Sequence, residues 1–238
     1  MKLSAPQIGF DRYIQLDWAA CALAVRAGAC PMADLSALLE SSHTGAAAKK
    51  KTRTVLNRLW LDPRPDLVDL ANRGVEIYLG NMNPPVFALT WGMAIATYPF
   101  FGRVAEIVGR LTALQGDCAS SEVHRRMAEI YGEREGTRRM TNMTLQSQSN
   151  WGAIERVDGG KRLVRKPKQE LDASAIAAWL VEASLRYAGR ALPIATLDTN
   201  PVIYPFGLGS SLAYSLLNVP SLEILSTNMS DRLVALAS

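Results

Sequence analysis

The stretch Ser121–Lys166, SEVHRRMAEIYGEREGTRRMTNMTLQSQSNWGAIERVDGGKRLVRK, decides how this chain is read. Ser120 and Ser121 suit the start of a helix that turns Val123, Met127 and Ile130 inward, because residues three or four apart share a face. Gly132 or Gly136 supplies a turn, and a second helix begins near Thr137. It presents Arg138, Arg139, Thr141, Asn142 and Gln146 as polar groups, with Met140, Met143, Thr144 and Leu145 on its inner side. Gly152 then breaks the helix, and residues 153–166 read as a hairpin with Asp158, Gly159 and Gly160 at its tip.

A helix, a turn, a polar and basic helix and a basic hairpin follow one another in the order of a winged helix. Arg, Asn and Gln side chains make paired hydrogen bonds to base edges in the major groove. Arg138, Arg139, Asn142 and Gln146 are therefore the candidate base-reading residues. Lys161, Arg162, Arg165 and Lys166 on the hairpin are candidates for phosphate. The competing reading is an ordinary helical bundle with a surface hairpin. In that case Arg125, Arg126 and Arg134 pair with Glu122, Glu129 and Glu133 at helical spacing, whereas most hairpin cations have no such neighbour.

Charge is sorted along the chain in the same sense. Residues 49–64 hold six Lys and Arg against one acid, and residues 121–168 hold eleven against six. The whole chain has 26 basic and 22 acidic residues, so nine basic and fifteen acidic ones lie elsewhere. A net charge of +4 thus hides two basic segments on an acidic remainder, the pattern of a polyanion-binding surface. The first segment belongs to a basic helix, residues 46–60, with Lys49, Lys50, Lys51 and Arg53 in its earlier turns and Val55, Leu56, Leu59 and Trp60 as its buried stripe. It follows helices from about Asp11 to Ala27 and from Pro31 through Leu39, in the outline of a helix-turn-helix. The first of these helices buries Tyr13, Leu16, Ala20, Leu23 and Ala27.

The expected fold is mainly α, a multi-helix bundle with winged-helix-like elements and short β-hairpins. Its parts are a helical region at 1–64, a helical core at 65–119, a winged-helix-like segment at 120–168 and a C-terminal region at 169–238. In the core, helices are expected from about Asp66 to Leu79, Val86 to Thr97 and Phe100 to Leu114, with Trp91, Tyr98, Phe100 and Phe101 as a packing cluster. No charge falls between Glu76 and Arg103, but prolines bound the apolar run, which leaves the length of a buried helix and not a membrane span. Near the C-terminus, a helix at 173–189 is followed by runs at 222–225 and 233–236 that read as a terminal hairpin.

Chemistry-bearing patterns are sparse. Three cysteines, Cys21, Cys30 and Cys118, have no CxxC spacing, so neither a disulfide framework nor a zinc site is expected, and a reducing cytoplasm fits. Only His43 and His124 are available as histidine bases or ligands, and neither has a metal-binding partner in sequence. FGLGSS lacks the phosphate-loop lysine, and Ser210 and Ser211 lack a nucleophile setting. No catalytic residue, metal or cofactor is therefore expected.

RRMAEIYGEREGTRRMTN followed by SNWGAIERV resembles the central region of BrxA-type proteins from bacteriophage-exclusion (BREX) defence islands, over residues 31–165. The resemblance implies a small, mainly helical, cytoplasmic protein that binds duplex DNA and works beside other subunits of a defence complex. The chain continues from about Asp172 with a further helical and hairpin region. The rival expectation is a scaffold whose basic surfaces meet an acidic protein partner. Its apolar contact would be Val86–Phe101 or the YPFGLGSS segment.

Overall fold

The first helix starts later than its sequence suggests, and the cause lies far along the chain. In the computed structural model, which describes residues 9–171, 174–209, 212–217, 219–226 and 232–237, α1 spans Leu16–Arg26. The Ile14 N–H donates to the Ser147 hydroxyl and the Leu16 N–H to the Asn150 side-chain carbonyl, both at 2.8 Å. Asn150 thus takes a capping role that Gln15 does not fill, and Gln15 stays extended. The buried face of α1 is Trp18, Ala19, Ala22 and Leu23; of the expected stripe, only Leu23 is fully buried.

α2 (Met32–Ser42) and α3 (Ala46–Leu56) pack through Leu35 and Leu39 and through Thr52, Val55 and Leu56. The expected end of the third helix departs from α geometry. Asn57–Leu61 form a wider π turn, with the Asp62 N–H on the Asn57 carbonyl at 2.7 Å. That turn delivers Leu59 and Trp60 to the core before Pro63 stops the helix.

α4 (Val68–Leu79) leads to α5 (Val86–Thr97), the central helix. Every residue from Ala88 to Thr97 is buried, so α5 is apolar all round, as a fully enclosed helix must be. Gly92 is required there, because a Cβ would overlap the indole of Trp179. α6 (Pro99–Leu111) ends before Leu114, the expected helix end, which is exposed, while Val104, Ile107 and Val108 face the core. Phe10, Trp91, Phe101 and Trp151 pack ring against ring at centroid distances of 5.1 to 6.4 Å. No helix among the described residues is long and apolar enough to cross a membrane.

After α6 come β1 (Asp117–Ala119), α7 (Ser120–Tyr131), α8 (Glu135–Asn150), β2 (Ile154–Val157) and β3 (Arg162–Arg165). The strands form an antiparallel sheet in the order β1-β3-β2. The hairpin was legible, but β1 was not, and the expected division at 119/120 cuts this sheet. Asp158, Gly159 and Gly160 at the tip all have positive φ. Neither Ser120 nor Ser121 caps α7 with its side chain. Ile130, expected to face inward, is exposed, and Tyr131 takes the buried position. Gly132, at φ 88°, makes the turn, whereas Gly136 lies inside α8.

β4 (Gln169–Glu170) pairs with β6 (Phe206–Gly207) across α9 (Ser174–Ala188) and β5 (Leu192–Pro193). α10 (Leu212–Leu216) precedes β7 (Leu222–Ser226) and β8 (Arg232–Leu236), which form the expected terminal hairpin, with β5 added on the far side of β8. Glu182 on α9 is fully buried and held by Arg73 at 2.6 Å, Arg186 at 2.8 Å and the Ser221 hydroxyl at 2.7 Å. These contacts tie α4 and α9 to the entry of β7. One hydrophobic cluster runs from Phe10 to Val234, so all four regions of the sequence share a core.

Candidate nucleic-acid interface

α8 divides into a buried polar half and an exposed cationic half. Thr141, Thr144, Ser147 and Gln148 are all buried, although Thr141 was expected on the surface. The hydroxyls satisfy themselves one turn back: Thr141 on the Thr137 carbonyl at 2.8 Å, Thr144 on Met140 at 2.9 Å and Ser147 on Met143 at 3.1 Å. Tyr204 donates its hydroxyl to the Gln148 side chain at 3.1 Å. The expected inner-face residues Met140 and Met143 are only half-buried, while Leu145 is buried.

The other half carries Arg138 and Arg139, both exposed and without an ion pair among the described residues. Asn142 is half-buried, and its side-chain oxygen accepts from Arg156 of β2 at 2.9 Å. The Arg156 guanidinium also lies against Gly160, so one side chain links α8 to the hairpin tip. Its burial lowers its pKa. Sequence reading counted Arg156 among the cations but gave it no role, because the contact depends on how the hairpin folds back. Gln146 is half-buried, with no side-chain hydrogen bond among the described residues.

The expectation that most hairpin cations lack neighbours does not hold. Arg162 pairs with Asp117 of β1, and that hydrogen bond raises its pKa. Lys166 pairs with Glu155 at 2.5 Å. Arg165 is half-buried, donates to the Tyr204 carbonyl and lies over the Tyr204 ring at 5.3 Å. Lys161 is exposed and has no side-chain partner among the described residues. The Arg162 and Lys166 side chains nevertheless remain 53% and 44% exposed, which leaves N–H groups free to face outward.

On α7, Arg125 bridges Glu122 and Glu129, and Arg126 pairs with Glu122 at 2.8 Å. Those hydrogen bonds bring the Glu122 pKa down to about 2. Arg134 is exposed and has no ion pair among the described residues. A cleft of about 580 Å³ between α7 and α8 is lined by His124, Arg134, Thr137 and Arg138. His124 Nδ1 and the Thr137 hydroxyl are buried there without a partner among the described residues. Burial lowers the His124 pKa, and the nearby Arg138 and Arg156 charges lower it further.

The earlier basic segment is organised differently. Lys49 pairs with Glu40 at 3.0 Å, and Arg53, half-buried, donates to Ser36 at 3.1 Å. Lys50 and Lys51 are exposed without an ion pair among the described residues. His43 ends α2 by bonding Thr52 at 2.9 Å, and its ring meets Trp18 edge-on. The two apolar contact surfaces named for a scaffold are not surfaces. α5 and Phe100–Phe101 are core, Tyr204, Phe206 and Leu208 are buried, and Ser210 and Ser211 lie outside the described residues.

Comparison of the chain with family models, curated proteins and solved structures finds no match.

Proposed function

We propose that this chain is a non-catalytic protein that binds duplex DNA through the exposed half of α8 and the β2–β3 hairpin. The observation that carries the reading is topological. The order α6–β1–α7–α8–β2–β3, with an antiparallel sheet ordered β1-β3-β2, supports reading this part of the chain as winged-helix-like. In such a module the second helix of the turn enters the major groove by its N-terminal residues. That end of α8 is where Arg138 and Arg139 stand exposed without ion pairs among the described residues. Asn142 offers its amide N–H groups while Arg156 holds its oxygen. Lys161, Arg162 and Lys166 flank the groove as phosphate contacts, and Arg165 acts through Tyr204 to hold the hairpin in place.

The resemblance to BrxA-type proteins supports a cytoplasmic accessory role beside other subunits of a prokaryotic phage-defence system. The helix pair α2–α3, with Lys49, Lys50, Lys51 and Arg53, is proposed as a secondary phosphate-binding face. Titrating a fluorescent duplex at several salt concentrations tests the proposal. Affinity falls with salt by about 0.9 in the log–log slope for each phosphate contact. Failure to bind any duplex at low salt rejects it. A protein-scaffold reading would then stand on the basic faces alone, with an acidic protein as partner.

A further inference from the structure

A second cationic site lies along α6. Arg103, Glu106 and Arg110 occupy one helical face at spacings of three and four, and they form one wall of a cleft of about 590 Å³. The facing wall comes from the end of α9 with Arg190, from β5 and from the turns at Ile194–Thr196 and Pro201–Ile203.

Two glycines make this cleft a fixed feature of the fold. A Cβ on Gly102 would overlap the ring of Tyr187, and one on Gly109 would overlap the Pro201 backbone. Both are therefore required for α6 to seat against α9 on one side and the 201–203 turn on the other.

The charge balance is positive. Glu106 is the single carboxylate in the lining among the described residues and accepts from Arg103 at 2.7 Å, from Arg110 and from the Tyr187 hydroxyl at 2.8 Å. Three guanidiniums thus face one carboxylate that is already fully engaged, which leaves an excess of two positive charges. Arg190 is exposed, and its one side-chain hydrogen bond among the described residues is a long contact of 3.4 Å to the neighbouring Ala191 carbonyl. Tyr131 lines the same space, with no hydrogen bond to its hydroxyl among the described residues.

We infer that this cleft binds a small phosphate monoester. The dianion answers the charge excess, and the planar guanidinium fork matches phosphate oxygens. The volume falls within the range of about 300–1,000 Å³ usual for organic ligands and far exceeds a bare ion. Leu192, Pro193 and Leu197 give the organic part an apolar wall, with Thr196 and Asn200 as polar contacts. The site is independent of DNA binding, since none of its arginines belongs to α8 or the hairpin.

Isothermal titration of the full chain at constant ionic strength tests this inference with four probes: AMP, ribose 5-phosphate, adenosine and inorganic phosphate. AMP and ribose 5-phosphate should bind, and both should bind more tightly than adenosine or inorganic phosphate. The double variant Arg110→Ala/Arg190→Ala removes two exposed side chains, and circular dichroism checks its fold. It should weaken ester binding by about tenfold or more, the loss expected for about one charged hydrogen bond. Arg138→Ala/Arg139→Ala should leave ester binding unchanged. Three results would overturn the inference: no binding of either ester at millimolar concentration, inorganic phosphate binding as tightly as the esters, or ester binding that depends on Arg138 and Arg139 and not on Arg110 and Arg190.

Discussion

The two basic segments of this chain share one plan, a free cationic start and a buried end, and differ in what surrounds the free cations. α8 is anchored at its far end: Ser147 and Asn150 hold the approach to α1, Gln148 holds Tyr204, and Trp151 closes the aromatic cluster. Its near end is left as an exposed cationic arm. α3 repeats this polarity, with Lys50 and Lys51 exposed in its early turns and its anchor in the π turn that buries Leu59 and Trp60, but its Lys49 is paired with Glu40 and, among the described residues, no basic hairpin follows it. The contrast shows that counting cations along a segment overstates the charge it offers a partner. In the richer segment, Arg125, Arg126, Arg162 and Lys166 already face carboxylates. What remains free is a short list, with Arg138 and Arg139 at its centre.

The anchors are the strongest place to break the comparison. Trp151→Ala and Trp60→Ala should each cost about 3–5 kcal/mol in urea unfolding, because both indoles are almost fully buried. Replacement by Phe separates them. The Trp151 N–H donates to the Ile14 carbonyl at 2.9 Å, whereas the Trp60 N–H is buried without a partner among the described residues. Trp151→Phe should therefore be the more destabilising of the two, by about 1–2 kcal/mol. Equal losses would mean that the hydrogen bond to Ile14 does not hold α8 in place.

A smaller effect is expected at Ser147→Ala, which leaves the buried Ile14 N–H without its acceptor. The cost should be about 1–2 kcal/mol by thermal or urea unfolding. Thr144→Ala should cost less, since its hydroxyl bonds only the carbonyl one turn back in the same helix. If Thr144 proves the more important, the anchor lies within α8 and not between α8 and the start of α1.

The smallest expected effect is on pH dependence. His124 has a folded-state pKa below its ordinary 6.5, so the unfolded chain takes up a proton first as pH falls. The stability it contributes is present above about pH 6.5 and is lost as pH falls from there toward the folded-state value. Unfolding curves between about pH 7.5 and 5.5 should show this decline in the parent and a shallower one in His124→Gln. Identical slopes would place the imidazole in solvent, away from Arg138 and Arg156.

Much of this architecture was legible in the sequence where punctuation is strong. Pro84, Pro85 and Pro99 bound α5, and its residues Val86–Thr97 follow directly. The β2–β3 hairpin is fixed by Asp158-Gly159-Gly160, whose positive φ values suit those residue types. The buried polar face of α8 was hidden because threonine and serine read as surface residues until their hydroxyls are seen to bond their own helix. The ion pairs of the hairpin were hidden for a different reason. Asp117 sits in a three-residue strand too short to show alternation, and it meets Arg162 only when β1 joins the sheet. The cleft beside α6 was equally silent, since its arginines come from two elements far apart in the chain.

The arm of α8, and not the early turns of α3, is proposed to meet duplex DNA. The most direct test measures duplex affinity against salt for the parent, for Arg138→Ala/Arg139→Ala and for Lys50→Ala/Lys51→Ala. All four side chains are exposed, so each variant should keep its fold and its unfolding midpoint. The α8 variant should lose about tenfold or more in affinity, together with any sequence preference, because its arginines are assigned to base edges. The α3 variant should change by a smaller factor. An α8 variant that binds with the parent's affinity and salt slope, beside an α3 variant that does not, would contradict the account and move the DNA face to α3.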